Sequence, residues 1–203
     1  MTGYWQRHPV DVSACAFLVL LAPPVKHAVE ASMTAQMLLQ IPLLVGVGCL
    51  LSRAIPARAR AIAADWNDRG ITGLVLASVA SAFWMLPRTL DAAVTEPLID
   101  AAKYFSVPLL IGLPFALSWP RMGFIVRGVF LVEFIATFFR LGWLYLIWPE
   151  RLCNVYLLDD QQRLGQCMLL IGAALFLAVA AKLVWGRFDS LVASHPTSTS
   201  PTR

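Results

Sequence analysis

The chain has 203 residues, of which 59% are hydrophobic and only 14% charged, and its mean hydropathy is +0.69. Soluble domains carry about a quarter charged residues, so this composition excludes an ordinary soluble domain and points to an integral membrane protein. The net charge of +4 does not indicate a nucleic-acid partner, because the basic residues form no patch and sit at the ends of apolar runs.

Six apolar segments follow in chain order, over residues 10–25, 33–54, 70–87, 98–119, 122–148 and 165–186. Backbone polar groups in lipid must be satisfied within the segment, so these are helices. The expected fold class is all-α, a polytopic membrane bundle of about six transmembrane helices, or five if residues 10–25 do not cross. A crossing helix needs about 20 residues. The first and third segments are near that limit, and Asp100 and Lys103 shorten the usable part of the fourth. The first run lacks a small-residue cleavage site and ends at Pro23-Pro24, so it reads as a retained helix rather than a signal peptide. Pro42, Pro108 and Pro114 fall inside segments and should kink or loosen them. Residues 1–190 read as one bundle, and 191–203 as a polar, disordered tail.

Lys and Arg set the orientation. One set of loops and ends holds Arg7, Arg53, Arg58, Arg60, Arg69, Arg121, Arg127, Lys182, Arg187 and Arg203; the other holds Lys26, Arg88, Lys103, Arg151 and Arg163. Ten against five places both termini in the cytoplasm. Residues 88–103 and 149–164 then become outer segments, and 55–69 a basic cytoplasmic loop. No internal repeat and no nucleotide-binding glycine loop is evident.

The stretch SMTAQMLLQIP, residues 32–42, begins the second segment at its outer end. Ser32, Gln36 and Gln40 are four apart and share one helix face, and Met33 and Met37 form the neighbouring row. A polar stripe here should face the bundle or a hydrated pocket rather than lipid. Thioethers are soft ligands suited to Cu(I), and His27 lies upstream as a further imidazole. The same residue types also serve as packing: methionine fills gaps between helices and glutamine bridges them.

The last outer loop carries Asp159-Asp160-Gln161-Gln162 before the sixth segment, with Cys153 ahead of it and Cys167-Met168 after it. The acidic pair reads either as a helix N-terminal charge or as the far wall of an outer-facing site. Cys153 and Cys167 are open to a disulfide or to free thiols, whereas Cys15 and Cys49 lie in apolar runs as small hydrophobes. Glu133 and Arg140 lie seven apart in the fifth segment. Two turns separate them by ~10 Å, so each is expected to find a partner on another helix, as a polar lock or as part of an ion path. No Ser/His/Asp set and no paired-carboxylate site stands out, so an enzyme is not expected.

With these residues in view, SMTAQMLLQIPLLVGVG resembles the signature helix of the CtaG-type cytochrome c oxidase assembly proteins, which reads H-M-x-x-H-M before an apolar stretch with a proline. LLDDQQRLG, residues 157–165, looks like that family's D-Q-x-x-x-G element. The resemblance implies a bacterial inner-membrane assembly factor for a haem–copper oxidase, with the lipid bilayer and an oxidase subunit or other respiratory complex as partners. It further implies Cu(I) as cofactor, held by Met33 and Met37 with His27 as third ligand, and Gln36, Asp160 and Gln161 in support. The chain departs from the pattern at Ser32 and Gln36, where the family has histidines. Loss of that pair leaves a second reading open, an accessory subunit of a respiratory or other membrane complex without a metal. A small transporter with Glu133 and Arg140 in its path is a third.

Overall fold

The computed structural model describes residues 9–148 and 156–185. The described residues are helical, with no strand. In order they form α1 (Pro9–Leu21), α2 (Pro23–Glu30), α3 (Met33–Ala54), α4 (Ala57–Trp66), α5 (Ile71–Trp84), α6 (Pro87–Thr95), α7 (Pro97–Arg121), α8 (Phe124–Ile147) and α9 (Leu158–Trp185). Residues 149–155, with Cys153, and the tail 191–203 lie outside the described residues.

Three helices, α3, α7 and α9, are long and apolar enough to cross a membrane, and two bent pairs raise the number to five at most. Among the described residues three to five spans are supported, which includes the expected five and not the expected six. The first and third segments are not straight spans. α1 has 13 residues and α5 has 14, which at 1.5 Å per residue gives only ~20 Å each. α1 bends by 65° into α2, and α5 by 68° into α6. The cause is proline: Pro23, Pro24 and Pro87 sit in the first turns of α2 and α6, where a fixed φ and a missing N–H suit a new helix but not a continuing one. α8 is long, but it carries Arg127, Glu133 and Arg140.

The boundaries also differ at the polar segments. Residues 88–103, expected as an outer segment between spans, are largely helical in α6 and the start of α7. Asp159 and Asp160 stand in the first turn of α9 rather than in a loop. Carboxylates there complement the helix dipole.

The interior prolines widen their helices instead of sharply kinking them. Gln36–Gln40, just before Pro42, and Val107–Gly112, which includes Pro108, are π-helical turns. A wider turn accommodates the proline ring and the carbonyl that lost its donor.

An architectural repeat emerges that the sequence alone did not reveal. A short helix bends through a proline into a second short helix, which leads into a long helix with a π-turn; α1–α2–α3 and α5–α6–α7 both follow this order. The long helices match at Ile41-Pro42-Leu43-Leu44-Val45-Gly46 and Val107-Pro108-Leu109-Leu110-Ile111-Gly112. The two run parallel: Gln40 meets Tyr104 near one end, and Gly48 meets Gly112 further along. A Cβ on Gly48 would sit 2.8 Å from the Cα of Gly112 and closer still to the carbonyl oxygen of Pro108. Only hydrogen permits that backbone approach.

The α8–α9 hairpin completes the bundle, antiparallel, with Gly142 against Gly165 and Phe138 against Gly172. The core contains Met33, Met37, Leu44, Tyr104, Val107, Tyr145, Leu164 and Met168. Large apolar side chains such as Leu170, Phe176 and Leu177 point outward from α9, as a lipid-facing surface requires.

Candidate functional site

α3, α7 and α9 all begin at one end of the bundle, where Met33 meets Asp160 and Glu30 meets Lys103. Three parallel helix starts make that end electropositive along the backbone. Carboxylates gather there in answer: Glu30 at the end of α2, Asp100 on α7 and Asp160 on α9.

Asp160 bridges the start of α3. Its Oδ1 accepts from the Ser32 hydroxyl at 2.9 Å, and its Oδ2 accepts from the Met33 backbone N–H. Ser32 stands at the N-cap position of α3 but does not cap it with its own side chain. The carboxylate from α9 supplies the cap instead, with a full negative charge at a helix N-terminus.

Lys103 is fully buried. Its ammonium lies 2.9 Å from Glu30 Oε1 and 3.1 Å from Asp100 Oδ1. Asp100 also pairs with Lys26 of α2. A buried charge is tolerable only when paired and hydrogen-bonded, and these two lysines and two carboxylates balance to zero. The lysine's position was expected to be an outer loop or a truncated span end. The structure instead folds it inward, because α7 begins at Pro97 and carries Lys103 nearly two turns of helix into the core.

An amide and phenol layer adjoins the charges. Gln40 Nε2 donates to Glu30 Oε1 at 3.1 Å and to the Tyr104 oxygen at 2.8 Å. Tyr104 donates to the Leu20 carbonyl at 3.1 Å and tethers α1. The Tyr156 hydroxyl is 2.8 Å from both the Glu30 carbonyl and Gln36 Oε1. Gln161 Nε2 reaches the Tyr145 carbonyl at 3.3 Å. Gln36 and Gln40 are both buried, so the polar stripe of α3 faces the bundle, inside its π-turn.

The predicted metal residues divide. Met33 and Met37 are enclosed in the core, and the Tyr145 hydroxyl lies 3.8 Å from the Met37 sulphur. Met168 is buried in the same core. His27 is exposed on α2. Among the described residues, no three His, Cys, Asp or Glu side chains group as a metal site. Cys167 is a free thiol. The described residues bring Ser32, Met33, Gln36, Asp160 and Gln161 to one end of the bundle, although their two sequence elements lie more than a hundred residues apart.

No family model, no curated protein and no solved structure matches the chain.

Sequence reasoning missed Glu30, Tyr104, Tyr145 and Tyr156, and it misplaced Lys103. One signal pointed to the last: Asp100 and Lys103 are spaced i,i+3, one face of a helix, at the edge of an apolar run. Glu133 and Arg140 require a correction. They pair directly with each other rather than with other helices. Both side chains are long enough to close two turns, and both are about two-thirds exposed on the outward side of α8. A lock in the bundle interior is thereby excluded for this pair.

Proposed function

We propose that this chain is a non-enzymatic membrane protein that accompanies a respiratory complex, as an accessory or assembly subunit, with its outer end built as a metal-free polar lock. The observation that carries this reading is the use made of Ser32 and Gln36. At the positions where the CtaG-type pattern places histidines, one side chain is committed to Asp160 and the other to Tyr156. Hard hydroxyl and amide oxygens are poor partners for Cu(I), and here they join α3 to α9 and to Tyr156, two residues before it. The resemblance to CtaG-type proteins supplies the haem–copper oxidase as the complex to test first.

The test is genetic and spectroscopic. Removal of the gene should lower the amount of assembled haem–copper oxidase, read from reduced-minus-oxidised haem spectra of membranes. An unchanged spectrum overturns the proposal.

A second reading, Cu(I) handling through Met33 and Met37, is favoured by one observation: these two and Met168 are buried in the same core. Purified protein loaded with Cu(I) should then hold about one ion per chain, and Met33→Ala/Met37→Ala should lose it. Copper far below one per chain in the wild type removes this reading and leaves the lock.

A further inference from the structure

The opposite end of the bundle holds an open cleft of about 450 Å³ between the starts of α5 and α8 and the end of α7. Arg69 and Arg121 line it, together with Ile71, Phe124, Ile125 and Val126. Arg121 ends α7, one of the helices long and apolar enough to cross a membrane.

Three features of the cleft are independent of one another. The first is unmet charge. Arg121 Nη1 is buried and has no hydrogen-bond partner among the described residues, and no carboxylate there pairs with Arg69 or Arg121. That nitrogen is closed to a ligand as it stands, so Arg121 acts on the cleft through the field of its charge, while Arg69 is exposed beside it. The second is the start of α8. This 24-residue helix has Gly123 at its N-cap and no side-chain cap, and residues 123–126 at its start line the cleft. The third is an apolar rim. Ile71, Phe124 and Ile125 are 45%, 67% and 77% exposed beside the two arginines.

We infer that this cleft binds the headgroup of an anionic phospholipid. The phosphate takes the Arg69 guanidinium group and the α8 N-terminus within the field of Arg121, and the upper acyl chains lie on Ile71, Phe124 and Ile125. Charge complementarity selects an anionic ligand, and arginine suits phosphate through its paired donors. The apolar rim selects a lipid over a free phosphate, because a soluble anion gains nothing from it. Basic pockets between helices at a membrane surface are the expected place for such headgroups. Arg127 reinforces the positive field nearby, where it donates to the Trp119 carbonyl at 2.8 Å and lies over the Trp119 ring.

The experiment uses the full chain in mild detergent with equal amounts of phosphatidylglycerol and phosphatidylcholine, and counts retained lipid by native mass spectrometry. Wild type should retain phosphatidylglycerol preferentially. Arg69→Gln/Arg121→Gln should reduce that preference by roughly 30-fold, since each surface arginine contributes about a factor of five. Arg58→Gln, which removes an exposed charge on α4 outside the cleft, should leave the preference in place. Equal preference in wild type and the double variant overturns the inference, as does an equal loss in Arg58→Gln. Glycerol phosphate added at millimolar concentration should not displace the lipid; displacement would assign the cleft to a soluble phosphate instead. If the double variant does not fold, a diazirine-bearing phosphatidylglycerol on the wild type decides. Labelling concentrated on residues 124–126 supports the site, and labelling spread evenly over the helices overturns it.

Discussion

Lys103 with Glu30 and Asp100, and Arg140 with Glu133, are both ion pairs on apolar helices, yet they sit in opposite surroundings. The first group is buried where α2, α3 and α7 meet, and it is continuous with Gln40, Tyr104 and Lys26. The second lies outward on α8, within one helix. The lesson is that a charge in an apolar helix has no single meaning. The buried group joins elements 73 residues apart, so its geometry depends on the fold and the fold depends on it. The outward pair closes on itself and asks nothing of the rest of the chain.

The largest expected effect belongs to the buried group. Lys103→Met leaves Glu30 and Asp100 facing each other without their shared cation, and should cost roughly 3–5 kcal/mol. Unfolding of the purified protein in detergent measures it, and a loss under about 1 kcal/mol would break the contrast, since that is the range of an exposed pair. Gly48→Ala comes next. Its methyl meets the backbone of α7 at Pro108 and Gly112, so the two long helices must separate, and overpacking of this kind costs about 1–3 kcal/mol. The same variant sharpens the comparison, because separation of α3 from α7 should also weaken the Gln40–Tyr104 contact. A Tyr104 fluorescence or exchange signal that stays unchanged in Gly48→Ala would deny the coupling.

Asp160→Asn is smaller. The amide keeps the shape but loses the charge at the start of α3, and about 1 kcal/mol is expected from the lost cap and dipole interaction. Ser32→Ala should act in the same direction, and the two together should cost less than their sum because they share one hydrogen bond. Smallest of all, Glu133→Gln/Arg140→Gln, which removes both charges together, should change stability in detergent by no more than about 1 kcal/mol. A loss in this double variant that matches Lys103→Met would show that the outward pair is structural after all.

Much of the architecture was legible in the residues. The second, fourth and sixth apolar runs correspond to α3, α7 and α9, whereas the fifth, α8, carries three charges and is not among the helices apolar enough to cross, and proline marked where helices stop or restart. The straightness of the first and third segments was not legible. Hydropathy measures apolar content, while the 65° and 68° bends arise from Pro23, Pro24 and Pro87 at the junctions. The repeat escaped for a similar reason. Its sequence trace is the short PLL match, and the rest is a shared order of bends and π-turns.

At the candidate site the stripe of Ser32, Gln36 and Gln40 was readable, because helical period places residues four apart on one face. Its partners were not. Tyr104, Tyr156 and Asp160 come from α7, from the residues before α9 and from α9 itself, and no periodicity links them to α3.

The sequence by itself determined that this is an all-helical protein with helices suited to a membrane. Long apolar runs in lipid must satisfy their backbone within each segment, and only a helix does so there. Only the tertiary structure decided which charges are buried and with whom. Lys26 and Lys103 are alike as letters, and the burial of one and the partial exposure of the other follow from how α2 and α7 pack, a contact that no local pattern encodes.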